Sequence, residues 1–380
     1  MPHIRVLAGL LGSVHSGSSG YHYNLVRELL KRGHQVSVVC FGGTLEGLDE
    51  GDIYILPECN VQNAAVLWRC DSIFRYWHYS KQLRLLNLVE PDFVIAGEHL
   101  TLKAHHSLFP TVPWFYIPHS YTVKHEIRSY QMDFFRTQLT CWLYSRLQKL
   151  AINNATATIR FTNAAGNILK REYGLKDANI IINPSGVFSP QDYEKTVKSE
   201  TLRFVFVGRL VDSKNVSQLL ECLRQFVQFD WNMNVIGDGP QLKELQDIAG
   251  SYGLSERVFF RGYQDDVAYW LRRADLFVSM SKVENFPLTD MESMSYGVPT
   301  LSMHHDGVTF FNTTHEFIES GVTGYLATDV GDFCQCLKYI LKDKAILIEL
   351  SKRCREIISK YYTWDLHIDR LENNMKNYIK

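Results

Sequence analysis

Short apolar runs alternate with longer segments of helical periodicity along the chain. An apolar run at residues 3–8 is followed by a glycine- and serine-rich loop, and then by residues 21–32, whose apolar side chains share one helix face. Gly33 ends that helix, and another apolar run follows at 35–41. This order of strand, loop, helix and strand predicts a parallel α/β unit. The same half has predicted strands at 52–56, 92–96, 113–116, 155–161 and from 180, and helical segments at 66–89, 124–151 and 164–173.

The second half of the chain repeats the opening arrangement. A predicted strand at 202–207 leads into a loop and then into a helix at 216–229. Polar, linker-like residues around 185–200 separate the halves, so two α/β domains are predicted, at 1–185 and 200–363. The second half has further predicted strands at 232–236, 257–260, 275–279 and 299–303, and helices at 267–273, 332–341, 345–361 and 364–380. Another helix is predicted to open at Pro240, and residues 316–326 are predicted as a short helix, a turn and a strand.

Composition limits the class of protein. The 380 residues suffice for about two or three domains, and the net charge of −1 gives no general attraction to nucleic acid. The chain starts directly with a predicted strand, so no signal peptide is expected, and no apolar run reaches the ~18 residues of a membrane-spanning helix. The eight cysteines show no metal-binding spacing. Scattered, unpaired cysteines fit a reducing compartment, so a cytoplasmic protein is expected.

Arg209 and Lys214 lie in the loop between the predicted strand 202–207 and the helix that follows. Ligands of open α/β sheets bind at the carboxyl ends of strands, where both cations can point at one diphosphate. The arginine forks across two oxygens, whereas the lysine is a point charge. The alternative is a pair of solvated surface cations.

Two carboxylates, Glu284 and Glu292, lie eight positions apart after another predicted strand. Glu284 is predicted in a loop just past the strand end, and Glu292 about two turns into the next helix. Such a pair can contact opposite ends of one elongated polar ligand. The alternative is an ordinary first-turn acid that complements the helix dipole, together with a surface residue.

His119 follows the predicted strand 113–116 and is expected to face the ligand crevice of the first domain, although a lone histidine is more often structural. The loop at 12–20, with Gly17 and Ser18, lets backbone N–H groups approach an anion, unless it is a loop without a ligand. The predicted helix 66–89 is basic and aromatic. It can hold an anionic acceptor or rest on acidic lipid, but the favoured interpretation is an amphipathic helix with its aromatic residues packed inward.

Two segments invite a metal-site interpretation. Asp265 and Asp266 precede the predicted helix 267–273 and are interpreted as an N-cap. His304, His305 and Asp306 form a polar turn without a further well-spaced ligand. No metal site is therefore predicted.

Several motifs occur together in one order. They are Val207-Gly-Arg209 with Lys214-Asn215, Ile236-Gly-Asp-Gly-Pro240, Phe260-Arg-Gly262, Glu284 and Glu292 with seven residues between them, Ser293-Met-Ser-Tyr-Gly297-Val-Pro299, and Glu316-Phe-Ile with Gly321 and Gly324-Tyr-Leu. This set resembles the retaining glycosyltransferases of family four. The resemblance implies the GT-B architecture, which has two Rossmann-like, doubly wound parallel-sheet domains facing across a cleft. It also implies that the last helix, 364–380, packs back on the first domain.

The resemblance further implies roles at the matching positions. Arg209 and Lys214 would stabilise the leaving nucleoside diphosphate, Glu284 and His119 would contact the donor sugar, and Glu292 would bind the ribose. Residues near 261–263 would line the base, and the loop at 12–20 would approach the phosphates. The donor-binding positions are then Gly17, Ser18, Gly208, Arg261, Gly262, Asn285, Phe286, Pro287, Leu288 and Glu292.

Two positions depart from the family pattern. Pro287 stands where a glycine is usual, so one backbone N–H to the sugar is lost, although proline suits the start of a helix. Residues 304–314 form a longer turn than usual. Both departures leave the donor sugar open.

The expected activity is a retaining, metal-independent transfer of a hexose-type sugar from a nucleoside-diphosphate sugar to an acceptor hydroxyl. No cofactor is expected, and uridine diphosphate is the favoured carrier. Two alternatives remain: a pseudo-glycosyltransferase of the same fold and a non-catalytic scaffold that binds sugar nucleotides. The acceptor is expected on the first domain, near 121–136 and the basic residues 75–84, where peripheral contact with the inner face of a membrane is also open.

Overall fold

The computed structural model describes residues 1–9, 11, 17–43, 48, 51–57, 71–99, 101–119, 134–174, 180–190, 201–307 and 309–378. The chain divides into two compact units. The first comprises Met1–Ser185 and Asp365–Lys380, and the second comprises Gly186–Trp364. The change of unit therefore falls at Ser185, the start of the linker-like segment in the sequence.

The first unit is built on a parallel sheet whose described strands have the order β3-β2-β1-β4-β5-β6-β7. The strands read as apolar runs because helices cover parallel sheets on both faces. They are β1 (His3–Leu7), β2 (Gln35–Cys40), β3 (Asp52–Ile55), β4 (Phe93–Ala96), β5 (Trp114–Tyr116), β6 (Ala157–Arg160) and β7 (Ile180–Ile182). The helices before the second unit are α1 (Gly17–Lys31), α2 (Asp71–Leu85), α3 (Leu102–Leu108), α4 (Phe134–Asn154) and α5 (Asn163–Tyr173).

The second unit repeats this plan with the strand order β10-β9-β8-β11-β13-β15, and a separate parallel pair is formed by β12 and β14. Its strands are β8 (Leu202–Val207), β9 (Trp231–Ile236), β10 (Val258–Gly262), β11 (Leu276–Val278), β12 (Val283–Glu284), β13 (Thr300–Met303), β14 (Phe311–Asn312) and β15 (Gly324–Ala327). Its helices are α6 (Val216–Leu223), α7 (Leu242–Ser251), α8 (Val267–Arg273), α9 (Leu288–Ser295), α10 (Val330–Lys342) and α11 (Ile346–Tyr361). The predicted α/β fold with two parallel sheets is confirmed.

The last helix, α12 (Trp364–Met375), is held on the first unit by polar contacts. Arg32 at the end of α1 pairs with Asp369 at 2.5 Å, and His34 contacts Glu372 at 2.9 Å. Asn183 donates a hydrogen bond of 3.1 Å to the carbonyl of His367. The chain end therefore returns to the unit in which the chain begins.

Several predicted elements differ in detail. Helix α1 begins at Gly17 rather than at residue 21, because the segment read as a glycine-serine loop already forms its first turn. Helix α3 was not predicted, since its seven residues include two histidines and a lysine and show no clear apolar face. The predicted helix 216–229 ends at Leu223 and continues as a 3-10 turn. Parts of the predicted segments 66–89 and 124–151 lie outside the described residues.

Two cysteines that are far apart in the sequence lie side by side in the second unit. Cys222 on α6 and Cys334 on α10 have their Cα atoms 6.0 Å apart. The spacing of 112 residues hides this contact in the sequence, because it depends on how the two helices pack. Cys40 and Cys336 have free thiols among the described residues.

Candidate functional site

The loop after β8 is fixed by close approach to the loop after β9. Leu210 N–H donates to the Asp238 carbonyl at 2.9 Å. Gly237 has a φ of +133°, and a Cβ there would lie 1.9 Å from the carbonyl oxygen of Gly208. Only a glycine permits this backbone approach. The arrangement positions Arg209, whose exposed side chain makes no hydrogen bond or ion pair within the described part of the chain.

Lys214 lies at the end of the same loop, in the 3-10 turn Asp212–Lys214. The next residue, Asn215, has a φ of 54° and is the only described residue other than glycine with a positive φ. Asparagine tolerates this left-handed conformation better than most side chains. The tight turn brings Lys214 back toward the strand end, so the two predicted cations do share one loop.

Lys214 and Glu284 form an ion pair between Nζ and Oε1. The side chains are 21% and 15% exposed, so solvent screens the pair less than a surface pair. The backbone N–H of Lys282 donates to the Ser213 carbonyl at 2.7 Å, which ties the two segments together. The structure thus brings together a cation and an acid that the sequence assigned to different parts of one ligand.

Glu284 does not lie in a free loop, as predicted, but in the two-residue strand β12. This strand pairs in parallel with β14, which sets Glu284 opposite Asn312. The long turn at 304–314 supplies β14, so the insertion noted in the sequence has a structural role. It fixes the backbone that presents Glu284.

Helix α9 carries Glu292 at its fifth position, slightly more than one turn from the start rather than two. Pro287 is the N-cap residue, with φ −76° and ψ 86°, rather than the first helical residue. Its missing N–H is one of the four that a helix start leaves unbonded. The N–H of Leu288, the first helical residue, donates to the carbonyl of Phe286 at 2.9 Å. Thr313 donates to the carbonyl of Asn285 at 2.9 Å, and Phe286 packs against Phe317, which orders the segment before the helix.

Asp290, in the first turn of α9, is a site residue that the sequence reasoning missed. It is 1% exposed, and its Oδ1 has no hydrogen-bond partner among the described residues. Burial raises the pKa of Asp290 well above its usual value, and the nearby charge of Glu284 raises it further, while Lys214 opposes the shift. A first-turn acid normally reads as a solvated helix-dipole partner, so the sequence carries no signal of this burial.

The residues predicted to line a base lie at the end of β10. The Arg261 side chain contacts two residues of the second unit. Its Nε donates a hydrogen bond of 2.8 Å to Oδ1 of Asn234, and its guanidinium lies 4.8 Å from the Phe259 ring centroid. Gly262 has a φ of +68°, and the Tyr263 side chain that follows is 62% exposed. Arg261 and Tyr263 are therefore both exposed at this strand end.

In the first unit, His119 follows β5 and packs in a cluster of rings. Its Nε2 lies 3.4 Å from Nε2 of His22, and its centroid lies 5.1 Å from that of Tyr21. Burial lowers the pKa of His119 well below its usual value, and the nearby His22 and Arg160 lower it further. His119 is therefore a neutral imidazole near physiological pH.

Only the end of the predicted phosphate loop of the first unit lies among the described residues. Gly17 is the first residue of α1 and has a φ of 44°, and Ser18 follows it within the helix. Residues 12–16 lie outside the described residues. Gly17 and Ser18 thus lie at a helix N-terminus, the part of a helix that attracts anions.

The basic, aromatic helix α2 differs from the favoured interpretation. Tyr79 is buried and stacks on Phe41 with centroids 4.0 Å apart, as expected of an inward-packing side chain. Trp77 is instead 58% exposed, with Lys81 over its ring at 5.4 Å. On α4, Trp142 is 54% exposed with Arg146 at 5.1 Å. The predicted acceptor segment 121–133 lies outside the described residues.

The predicted N-cap at Asp266 is confirmed, because its Oδ1 accepts from the N–H of Tyr269 at 3.0 Å. Within the described ranges, no cluster of three or more His, Cys, Asp or Glu side chains is arranged to hold a metal ion. None of the described helices is both long and apolar enough to cross a bilayer.

Comparison with known proteins gives two family matches that divide the chain. The family described as "Glycosyltransferase Family 4" matches residues 15–188, and "Glycosyl transferases group 1" matches residues 189–361. Together they span residues 15–361. The first match contains Gly17, Ser18 and His119, and the second contains the remaining predicted site residues.

Individual relatives are distant. An N-acetyl-alpha-D-glucosaminyl L-malate synthase of Bacillus anthracis is 25% identical over 209 residues, which cover 54% of this chain and 47% of that protein. A UDP-Gal:alpha-D-GlcNAc-diphosphoundecaprenol alpha-1,3-galactosyltransferase of Escherichia coli is 24% identical over 269 residues, covering 66% and 68%. The match thus spans about half of the first relative.

Solved structures share the fold over the full length. Anabaena Alr3699/HepE, solved in complex with UDP and glucose, superposes with a TM-score of 0.74 at 17% identity. The superposition covers 99% of this chain and 100% of that one. At this identity the likeness establishes the fold, and the shared architecture is GT-B.

Replacing Asp290 by asparagine should change how stability depends on pH. The raised pKa means that the native state keeps a proton that the unfolded state loses above about pH 4. Native stability therefore falls as the pH rises from the unfolded pKa toward the folded one, and Asp290→Asn removes this loss. At each pH we compare the thermal midpoint of D290N with that of the unsubstituted protein. We expect the difference, D290N minus unsubstituted, to be more positive at about pH 8 than at about pH 5.

The matched control is Asp247→Asn, at an exposed position of α7. Its effect on the thermal midpoint should not change between the two pH values. If Asp290→Asn changed the thermal midpoint by the same amount at both pH values, a protonated, buried Asp290 would be contradicted.

Proposed function

The chain belongs to the group 1 glycosyltransferases of family 4, and we propose that it moves a hexose-type sugar from a nucleoside-diphosphate sugar to an acceptor hydroxyl. It is thus a transferase. The main support for a nucleoside-diphosphate sugar as donor is the loop after β8, which contains exposed Arg209 and also Lys214, the ion-pair partner of Glu284. These are the groups that a diphosphate and a sugar hydroxyl would engage.

Bond cleavage in such a donor places negative charge on the departing diphosphate and positive charge on the sugar ring. Arg209 and Lys214 stabilise the first charge because fixed cations need no reorganisation as the charge develops. Glu284, once released by Lys214, accepts hydrogen bonds from sugar hydroxyls. Glu292 binds the ribose hydroxyls, and His119, as a neutral imidazole, contacts the sugar.

We propose transfer with retention of configuration and without a metal ion. The C1–O bond to the diphosphate breaks and a new C1–O bond forms on the same face of the ring. The acceptor hydroxyl passes its proton to an oxygen of the leaving diphosphate. Same-face attack is favoured because Glu284 is paired with Lys214 and buried Asp290 has a raised pKa, so neither carboxyl group is a clear nucleophile. The two cations balance the charge that a metal would otherwise neutralise.

Uridine diphosphate is the proposed carrier. Two findings support it: the E. coli relative is named for a UDP-Gal donor, and the structurally similar Anabaena protein was solved with UDP and glucose. Tyr263 offers an exposed ring at the end of β10 for contact with the base. Pro287, as N-cap of α9, withholds one N–H from the sugar and distinguishes the donor pocket of this chain.

Donor cleavage provides the first test. A panel of nucleotide sugars, assayed for release of nucleoside diphosphate, should contain at least one substrate, with uridine donors preferred. Arg209→Ala and Lys214→Ala should each lower the rate by about 10²–10³-fold, because each removes one donor to the developing charge. Lys243→Ala, an exposed cation on α7, is the matched control and should leave the rate unchanged.

The same assay separates the competing functions. Rates that survive a chelator support metal independence. Binding of nucleotide sugar without release of nucleoside diphosphate, in the presence of candidate acceptors, would instead favour a scaffold. Release that depends on a non-sugar group attached to the nucleotide would favour a pseudo-glycosyltransferase.

We propose that the acceptor is presented at a membrane surface. Two relatives support this: the E. coli protein is named for a diphosphoundecaprenol-linked acceptor, and the Salmonella typhimurium relative for lipopolysaccharide. On the first unit, helices α2 and α4 contact each other, and each exposes a tryptophan beside a cation. Exposed Trp rings next to Lys or Arg suit the interface of an anionic bilayer.

Flotation with anionic liposomes tests the membrane surface. The protein should float with the vesicles, and raised salt should weaken binding because the cations contribute. Trp77→Ser and Trp142→Ser should reduce the bound fraction, whereas Tyr339→Ser, which removes a similarly exposed aromatic residue from the second unit, should not. Equal loss in all three variants, or no flotation of the unsubstituted protein, would contradict a membrane-facing first unit.

A further inference from the structure

The ring cluster around His119 contains a chain of hydrogen bonds whose proton positions can be assigned. His367, on α12, lies with Nδ1 2.8 Å from the Pro184 carbonyl, so Nδ1 carries a proton. Burial lowers the pKa of His367 to about 4, so the ring is neutral and its Nε2 is an acceptor. The hydroxyl of Tyr21 lies 2.8 Å from that Nε2 and must therefore donate to it.

This bond fixes the ring of Tyr21, which forms one wall of the pocket around His119. Tyr21 is 1% exposed, and its ring lies edge-on to His119 at an interplanar angle of 62°. Phe161 packs on Tyr21 with centroids 5.0 Å apart. The His119 ring is thus bounded by side chains that cannot easily turn.

His22 provides the second restraint. It is 3% exposed, and its ring lies 4.7 Å from His119, centroid to centroid. Gly97, directly after β4, makes room for it, since a Cβ at that position would lie 1.8 Å from His22 Nε2. A glycine at this strand end therefore admits the imidazole that reaches His119.

The His22–His119 contact has a chemical consequence. The two Nε2 atoms face each other at 3.4 Å, so a hydrogen bond requires that one carries a proton and the other does not. If both nitrogens were protonated, the two N–H hydrogens would repel each other. If neither were protonated, the two lone pairs would repel each other. The contact thus couples the two rings, because one must carry its proton on Nε2 and the other on Nδ1, and it occupies Nε2 of His119.

We propose that His22 is a positioning residue for sugar transfer, whose Nε2 fixes the orientation and tautomer of His119. The Tyr21–His367 bond holds the Tyr21 ring, which packs edge-on against His119. This inference rests on the proposed function, in which His119 contacts the donor sugar. His22 gave no sequence signal, because it falls inside an ordinary amphipathic helix.

Two amide variants test the proposal. The amide nitrogen of glutamine reaches the place of imidazole Nε2, whereas that of asparagine ends near Nδ1. His22→Gln should therefore keep the contact with His119, and His22→Asn should lose it. We expect His22→Asn to lower kcat by about 3- to 10-fold, the size of one hydrogen bond, with little change in KM, and His22→Gln to restore most of it. Equal kcat values for His22→Asn and the unsubstituted enzyme would overturn the proposal.

A second readout does not depend on catalysis. In protein labelled with ¹⁵N-histidine, the signals of the His119 ring are assigned as those that disappear in His119→Asn. These signals should have the nitrogen chemical shifts of one neutral tautomer. His22→Asn should shift them toward the average of both tautomers, and His22→Gln should not. Unchanged shifts in His22→Asn would overturn the proposal. If the unsubstituted protein cleaves no nucleotide sugar, the proposed function fails, while the nitrogen shifts still decide the role of His22.

Discussion

The ion pair between Lys214 and Glu284 is the interaction on which the candidate site depends. One cation lies among two acids, because buried Asp290 is close enough for both charges to affect its pKa. Lys214 neutralises Glu284, and Asp290 keeps its proton, since a second buried carboxylate would lack a counter-charge. The site therefore holds one compensated pair and one neutral acid. A donor that supplies two phosphate charges and several hydroxyls offers new partners to both members of the pair.

The fold supplies the constraint that brings these groups together. In a parallel sheet all strands end at one edge, so side chains far apart in sequence meet there. Glycines then set how closely the loops approach: Gly237 lets the loops after β8 and β9 touch, and Gly97 admits the ring of His22 in the first unit.

The sequence predicted the fold and part of the site for identifiable physical reasons. Apolar runs and helical periodicity are local, so the strands of the two large sheets were found, whereas the short, polar α3 and the two-residue strands β12 and β14 were missed. Arg209 and Lys214 were found because a strand-to-helix loop is itself a local pattern. Asp290 was missed because nothing local tells a buried first-turn acid from a solvated one.

The remaining differences depend on long-range packing. His22 and His367 are separated by most of the chain, and the link through Tyr21 exists only because α12 returns to the first unit. The strand β12 that holds Glu284 needs its partner β14, more than twenty residues away, so it was read as a loop. Neither contact has a periodicity or a motif that a single sequence could reveal.

A crystal structure of the protein with bound uridine diphosphate would show whether these groups hold the donor. We expect the phosphate oxygens to lie within hydrogen-bond distance of Arg209 and Lys214, Lys214 to have left Glu284, and the ribose hydroxyls to contact Glu292. A diphosphate bound elsewhere, with the Lys214–Glu284 pair intact, would contradict this expectation.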